Sequence, residues 1–413
     1  MDDSFAYAPI ARRGTIGELY PWPHWMKEIF QFVWFSFLRY IRPRYYMHLA
    51  YSAQRAVEEN INLPFIYFLD SGRSALVCAL RALGVGAADE VILSSFNCPA
   101  VIDAICSVGA TPVFVDVNNR GGINVDDLER RITFRTKALL VTHIYGIVED
   151  LSVLQAIATK HHCAIINDLA QTFELLNSPK RLHENGDISI YSFGAEKHIH
   201  AWGGGSIGTH DAELSKKIQE VVLSISIETH LARYCLERFL YYIRFYLYRT
   251  LPRVLILNLH THKSSTDIVV HEQITPRTIH PFQLFLLDQK LKTYPAEQKE
   301  TIANAKLLEE KLGQHMFLAD ARHSNSHLLY ATIIVDPEKR FMIARRLAKD
   351  GIQTTWNYVP LYYYEAYEKY QKGEYPSTER LWKQVLSVPF RYPLTRHRVQ
   401  EIAERILAHI HED

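Results

Sequence analysis

Short runs of β-branched and aromatic residues alternate with longer helical patterns through the middle of the chain. Apolar strands separated by about 10 to 15 residues of helix are typical of a mainly parallel sheet with helices on both faces. The predicted strands cover 65–70, 91–95, 111–117, 137–144, 163–169, 187–193 and 205–209. The pattern therefore predicts an α/β fold.

The pattern changes on either side of this α/β region. Residues 1–60 are rich in aromatic side chains, and four prolines among them favour an irregular segment. Residues 226–270 interrupt the strand–helix alternation with rings and arginines, and a small α+β region ends in a predicted helix at 399–410. The expected organisation is an N-terminal segment (1–60), a large α/β domain (61–225), a helical insertion (226–270), and connecting helices with a small C-terminal domain (271–413).

The composition excludes several classes of protein. Of the 413 residues 48% are hydrophobic and 22% charged, with a net charge of +1, which excludes a disordered chain and gives no reason to expect a nucleic-acid partner. Five cysteines without a Cys-x-x-Cys pair favour reduced thiols and no zinc site. The cysteine spacing therefore predicts no metal. The sequence shows neither a signal-peptide pattern nor an apolar run of about 18 residues, so we expect a cytoplasmic protein.

Polar residues follow three of the predicted strands, where ligands bind in sheets of this kind. The Ser-Gly-Arg-Ser turn at 71–74 opens a helix, and free N–H groups there suit a phosphate. Asp168 closes another strand, and Lys197 lies between a strand and the glycine-rich stretch at 202–209. Each signal also has an ordinary interpretation, namely a helix cap, a solvated carboxylate and a surface lysine.

Together the three signals fit one cofactor, pyridoxal 5′-phosphate (PLP). PLP needs a lysine for a Schiff base, a carboxylate that keeps the pyridine nitrogen protonated, and a site for its phosphate. The protonated ring is what allows the cofactor to accept electrons. The order of the three signals along one ladder of strands is more specific than any one of them.

Several stretches resemble the DegT/DnrJ/StrS-type aminotransferases, a family of PLP enzymes in the aspartate-aminotransferase superfamily. The matching stretches are 71–117, 141–146, 167–173 and 191–209, with looser likeness at 351–362 and 385–395. The resemblance implies PLP fold type I, in which a large domain has a mainly parallel sheet between helices and is followed by a small C-terminal α+β domain. It also implies a homodimer with active sites at the subunit interface.

The resemblance implies a role for individual residues. Lys197 would form the Schiff base and then carry the proton during catalysis. Asp168 would pair with the pyridine nitrogen, and Gln171 would lie near the hydroxyl group of PLP. The phosphate would be held by charge-assisted hydrogen bonds, which are the stronger kind. Its expected ligands are Ser192, Gly72, Arg73 and Ser74.

The chain departs from the family pattern at several site positions. Arg73 stands where Thr or Ser is usual, and Glu196 precedes the lysine where Thr is common. Cys98 occupies the position from which an aromatic ring usually stacks on PLP, so either Phe96 supplies that ring or no residue does. These departures leave the details of cofactor binding open.

Other polar residues are weaker candidates for the same site. A partner-subunit Asn that usually helps to bind phosphate has no counterpart in 274–283, where Arg277 or Thr275 is the alternative. His198 flanks the lysine, and His143 follows a predicted strand, so both are candidates to line the crevice. The histidines do not form a set with metal-ligand spacing.

A lysine at position 197 favours amino transfer, because the dehydratase branch of the family carries His there. The expected reaction moves an amino group from glutamate or glutamine to a keto-sugar, which in this family is usually nucleotide-linked. The alternatives are a PLP-dependent dehydration or another PLP reaction on a sugar, and a membrane-associated member of the fold without catalysis.

Two aromatic and basic segments, 20–51 and 231–263, have no counterpart in the family core. The second carries six cations against one carboxylate. In a helix, one half of the surface would carry Arg233, Arg238, Arg244 and Arg249. A basic, aromatic helix of this kind is typical of two situations, namely packing on the dimer partner and peripheral contact with the inner membrane surface. Both interpretations remain open, and no nucleic-acid motif accompanies the charge.

Overall fold

A computed structural model describes residues 22–61, 63–173, 186–194, 196–225, 273–317, 328–390 and 394–412. The expected insertion at 226–270, including the basic segment 231–263, lies outside the described residues.

The N-terminal segment forms two helices, α1 (Trp22–Ile41) and α2 (Pro43–Ile61), so the expectation of an irregular segment is wrong for these residues. Pro23 lies in the first turn of α1 and Pro43 is the first residue of α2. Proline is tolerated there because the N–H it lacks would have no partner within the helix. The prolines therefore start helices rather than interrupt them.

A seven-stranded sheet lies at the centre of the large domain. Its strands are β1 (Phe65–Leu69), β2 (Glu90–Ser94), β3 (Thr111–Val115), β4 (Thr136–Thr142), β5 (Ala164–Asp168), β6 (Ile188–Ser192) and β7 (Gly205–Thr209). The order across the sheet is β1-β7-β6-β5-β4-β2-β3. Strands β2 to β6 pair in parallel, whereas β7 is antiparallel to both neighbours. All seven predicted strands are confirmed and differ only at their ends.

Helices cover both faces of this sheet. They are α3 (Gly72–Ala82), α4 (Ala100–Ser107), α5 (Val125–Arg131), α6 (Ser152–His161) and α7 (Ala212–Ser224). Successive residues of β2 point to opposite sides, so Val91 and Leu93 join the apolar cluster with α3 and α4. Ile92 joins the cluster with α5 and α6. The continuous apolar strands follow from burial on both faces.

The C-terminal part is α+β. Its elements are α8 (Pro281–Leu291), α9 (Tyr294–Leu312), β8 (Tyr330–Ile334), α10 (Arg340–Lys349), α11 (Pro376–Gln384), β9 (Val385–Pro389) and α12 (Arg396–His411). Strands β8 and β9 pair antiparallel, and Leu308 of α9 and Ile402 of α12 join their apolar cluster. Among the helices of the described residues, none is long and apolar enough to cross a membrane.

Candidate active site

Lys197 and Asp168 lie at the same edge of the sheet. Asp168 is the last residue of β5, and Lys197 follows the neighbouring strand β6. Asp168 is buried and Lys197 is half-buried. Burial raises the pKa of the Asp168 carboxyl and of the Cys98 thiol, and the charge of Lys197 opposes both rises. The structure thus brings these three sequence-predicted residues together.

Asp168 is held by a chain of hydrogen bonds that begins at Asn97. The Asn97 Nδ2 donates to Thr142 Oγ1 at 2.9 Å, and Thr142 Oγ1 donates to Asp168 Oδ2 at 2.9 Å. The N–H of Ala170 donates to Asp168 Oδ1 at 3.0 Å. Burial raises the pKa of Asp168, and the donors from Ala170 and Thr142 oppose that rise because they favour the charged form. The carboxylate is therefore oriented for a cationic partner.

Thr142 and Asn97 were not singled out from the sequence. Thr142 is the last residue of β4, and Asn97 follows the end of β2. Both lie at the carboxyl edge where ligands bind in parallel sheets. Searching every strand end for hydrogen-bonding side chains would have found them.

Ser192 and the N-terminus of α3 make close contact at the same edge. A Cβ atom added to Gly72 would lie 2.9 Å from Ser192 Cβ, closer than side chains approach. A Cβ atom added to Gly205 would lie 2.5 Å from the carbonyl carbon of Ser71. Glycine at 72 and 205 therefore lets the first turn of α3 lie directly against β6 and β7.

The cap of α3 decides which amides face a ligand. Ser71 Oγ accepts from the N–H of Ser74 at 3.1 Å, so this N–H belongs to the cap. The first two amides of the helix, at positions 72 and 73, are the candidates for an anion, and the Arg73 side chain is exposed beside them. Arg277 lies at this end of the sheet too, where its carbonyl accepts from the N–H of Asp70 at 2.9 Å.

Gln171, three residues after Asp168, is buried, and its side-chain oxygen already accepts a hydrogen bond. The N–H of Tyr145 donates to Gln171 Oε1 at 2.9 Å. His198 Nε2 lies 3.1 Å from the carbonyl oxygen of Gln171. Because Oε1 already accepts from Tyr145, the side-chain group of Gln171 that remains for a ligand is the Nε2 donor.

His143 does not line the crevice, contrary to the expectation from its position after a strand. It is 1% exposed, its Nδ1 accepts from the N–H of Glu149 at 3.0 Å, and its Nε2 lies 2.6 Å from Asn167 Oδ1. These contacts fix the neutral ring with its proton on Nε2. Burial lowers the pKa of His143 to about 4.

Phe96 does not face the site either. Its ring is fully buried and meets Tyr145 and Tyr358 edge to face, with ring centroids 6.2 Å apart in each case. Tyr358 comes from the C-terminal part, and Cys98 and Glu196 add to the effect of burial in raising its pKa. Tyr358 is therefore packed against Phe96, two residues before Cys98. The sequence signal that could have found it is its place in the tyrosine-rich stretch at 351–362.

The fold has close counterparts among solved structures. A crystal structure from Bacillus subtilis with bound cofactor PMP matches with a TM-score of 0.70 and 21% sequence identity, covering 88% of this chain and 77% of that one. The expected fold class, PLP fold type I with a mainly parallel sheet, is thereby confirmed.

The family follows from the sequence match. The profile of the DegT/DnrJ/EryC1/StrS aminotransferase family matches residues 55–242 and 255–407, so the chain belongs to this family. The resemblance inferred from the motifs is confirmed.

Two relatives illustrate the range of similarity. The UDP-N-acetyl-3-dehydro-α-D-glucosamine 3-aminotransferase of Acidithiobacillus ferrooxidans is 42% identical over 151 residues, which cover 36% of this chain and 41% of that protein. The dTDP-3-amino-3,6-dideoxy-α-D-galactopyranose transaminase of Aneurinibacillus thermoaerophilus is 28% identical over 343 residues, covering 81% of this chain and 83% of that protein. The first match thus spans less than half of its relative's length.

Proposed function

We propose that this protein is a PLP-dependent aminotransferase that moves an amino group from glutamate or glutamine to a nucleotide-linked keto-sugar. The observation that carries the proposal is the convergence of Lys197, Asp168 and the first turn of α3 at one edge of the sheet. The names of both relatives contain a nucleotide-linked sugar. A lysine rather than a histidine at position 197 favours amino transfer over dehydration.

The residues fit PLP in chemistry and in shape. The half-buried Lys197 supplies an amine, and the buried Asp168 supplies a carboxylate for the pyridine nitrogen. The glycine at position 72 lets the N-terminus of α3 approach the Ser192 side chain, so the helix terminus and that hydroxyl could bind the same phosphate. Gln171 Nε2 would face the hydroxyl group of the cofactor, with Cys98 beside the ring. The phosphate would be bound by Ser192, Gly72 and Arg73, with Ser74 fixing the turn.

When bound, PLP supplies an electron sink for the charge that develops as the amino donor loses its Cα proton. Lys197 Nζ would take that proton and later give it back, so Lys197 would act first as the general base and then as the general acid. Asp168 keeps the pyridine nitrogen protonated, and Thr142 and Ala170 hold the carboxylate in position. The close approach of β7 to the start of α3 at Gly205 would hold the first turn of α3 in place beside the phosphate.

Covalent trapping tests this proposal. Protein loaded with PLP is reduced with borohydride and digested, and the modified peptide is identified by mass spectrometry. We expect the label on Lys197, and Lys299, an exposed lysine of α9, serves as the internal control. A protein that acquires no visible absorbance with added PLP, or a label spread over surface lysines, would contradict the proposal.

The proposal includes a cytoplasmic homodimer. The cysteines among the described residues are free, as expected for a reducing compartment. Arg73 is exposed at the first turn of α3, where a second subunit could complete the phosphate site as the family resemblance implies. Light scattering coupled to size-exclusion chromatography tests the dimer, and a monomer at micromolar concentration would contradict it.

Peripheral contact with the inner membrane surface through 20–51 and 231–263 is the last part of the proposal. Segment 231–263 lies outside the described residues, so its support is the basic and aromatic sequence alone. Segment 20–51 contains α1 and half of α2, whose exposed side chains allow a more specific inference.

A further inference from the structure

The outer face of α1 carries an apolar stripe that no described element covers. Its side chains are between 47% and 81% exposed. We name this face the α1 outer stripe, and it consists of Phe30, Val33, Trp34, Phe37, Tyr40 and Ile41. Single exposed apolar residues are ordinary, but a contiguous set of six marks an interaction surface.

The stripe has helical spacing and lies opposite the core-facing side of α1. At 100° per residue its six positions fall within an arc of about 120°. Phe35 and Leu38, which are buried against the rest of the protein, lie on the other side of the helix. A surface helix needs one apolar face for its own fold, so the second face of α1 is not explained by the folding of the described chain.

The end of the stripe meets a cluster of exposed cations. Arg39, Arg42 and Arg44 lie at the corner between α1 and α2, and all three are exposed. The sequence from 29 to 57 contains four arginines and no Asp or Glu. The surface therefore combines apolar and aromatic side chains with uncompensated positive charge.

The same surface is poorly suited to a second copy of the chain. A two-fold contact places the same surface of both copies against each other, and the segment 29–57 offers no Asp or Glu to pair with the partner's arginines. An anionic bilayer instead complements the charge, and its headgroup zone accommodates half-buried Trp and Tyr rings. The charge thus favours lipid over another protein copy.

We propose that the α1 outer stripe and the arginines of the α1–α2 corner dock this protein on the surface of an anionic lipid bilayer. The helix lies in the interface with the stripe toward the acyl chains, while Arg39, Arg42 and Arg44 contact lipid phosphates. This inference does not depend on the proposed aminotransferase activity, because none of these residues belongs to the candidate active site.

The docking helix is tied to the glycine-rich stretch that follows Lys197. Trp202 Nε1 donates to Glu28 Oε2 at 2.6 Å, and Glu28 Oε1 also pairs with Lys290 at 2.9 Å. The ring of Trp202 lies 6.1 Å from that of Phe32. The anchored helix and the glycine-rich stretch therefore share one packed contact.

Vesicle flotation with the full-length chain tests the proposal. Vesicles of phosphatidylcholine with phosphatidylglycerol are compared with phosphatidylcholine alone, at low and high salt. We expect flotation with the anionic vesicles only, weakened by salt. The triple variant Arg39→Gln, Arg42→Gln, Arg44→Gln should weaken binding about 100-fold, since each basic residue contributes roughly a factor of five at such a surface.

The apolar part of the surface is tested by the double variant Trp34→Ser, Phe37→Ser, which should lose flotation even at low salt. The matched apolar control is Phe134→Ser, because Phe134 is 94% exposed in the turn between α5 and β4. The matched charge control replaces three exposed residues of α9 by Gln, namely Lys299, Lys306 and Lys311. Both controls should float like the unmodified protein.

Three results would overturn the proposal. These are no flotation with anionic vesicles, flotation that both variants leave unchanged, and a Trp34→Ser, Phe37→Ser variant that changes oligomeric state although the unmodified protein does not bind vesicles. The last result would assign the stripe to a contact between copies. In the absence of vesicles both variants should react with an amino donor as the unmodified protein does, so a failure of docking is distinguishable from a failure of the proposed chemistry.

Discussion

The carboxyl edge of the sheet and the outer face of α1 differ in which side chains they bury and which they expose. At the sheet edge polar groups are buried, and Asp168 and Thr142 are linked by hydrogen bonds. On α1 apolar rings are exposed. Two tryptophans show the contrast, because Trp202 is 3% exposed and donates to Glu28, whereas Trp34 is 47% exposed. The proposed chemistry takes place at the buried edge, and the proposed membrane contact is made by the exposed face.

The family match follows the same division. It begins at residue 55, so it includes the whole sheet but leaves out α1 and most of α2. The site residues lie where the chain agrees with its family, and the stripe lies where it does not. Variants in the two regions should therefore affect different measurements.

The largest effect is expected for Lys197→Ala. Loss of the amine that attaches the cofactor and moves the proton should reduce amino transfer by at least ~10³-fold. The visible absorbance of the PLP-loaded protein should shift, while circular dichroism stays unchanged because the side chain is only half-buried. Lys299→Ala is the control. Retained transfer activity in Lys197→Ala would remove the lysine from the proposed mechanism.

His143 predicts a pH dependence of stability. Its folded-state pKa is about 4 against an ordinary value of 6.5, so between these pH values the unfolded chain binds a proton that the folded protein does not. The free energy of unfolding should fall as the pH decreases from 6.5 toward 4, by on the order of 3 kcal/mol in total. Urea unfolding at several pH values measures this. His143→Gln should flatten the slope, and an unchanged slope would refute the assignment.

The two tryptophans can be compared directly. Trp202→Phe removes the donor to the buried Glu28 and should lower the free energy of unfolding by about 1–3 kcal/mol. Trp34→Phe replaces an exposed ring and should change it by no more than about 0.5 kcal/mol. Urea denaturation of both variants tests the contrast. Equal effects would mean that α1 is not held by its Trp202 contact as the structure has it.

A smaller effect is expected for Thr142→Val. Removing the hydroxyl takes a donor from Asp168 Oδ2, so the pKa of Asp168 should rise further. We expect about tenfold weaker binding of PLP and an acid limb of affinity that moves to higher pH. Absorbance titrations across the pH range measure both. Thr142→Ser keeps the hydroxyl and should restore the original profile, which a purely structural role of the methyl group would not allow.

The strands, Lys197 and Asp168 could be predicted from the sequence because their signals are local. Apolar runs identify the strands, and the residue that follows a parallel strand lies at the ligand edge. Thr142 could not be assigned in this way. It contacts Asp168 because β4 and β5 pair in the register that places these two residues side by side.

The wrong expectations have a common physical cause. Proline usually breaks a helix, so the sequence around Pro43 favours an irregular segment. In the structure Pro43 is the first residue of α2, where proline does not disturb the helix. Only the position at which α2 begins distinguishes the two cases. His143 follows a strand, yet its side chain points into the core toward Asn167. In both cases the outcome depends on the direction of the neighbouring elements, which composition and periodicity do not specify.

The half-reaction with an amino donor tests the central claim most directly. PLP-loaded protein is mixed with glutamate or glutamine without an acceptor, and cofactor absorbance and released 2-oxo acid are followed together. We predict conversion of PLP to its pyridoxamine form with one equivalent of oxo acid, and no conversion in Lys197→Ala. Stable PLP absorbance with both donors, or conversion that persists without Lys197, would contradict it.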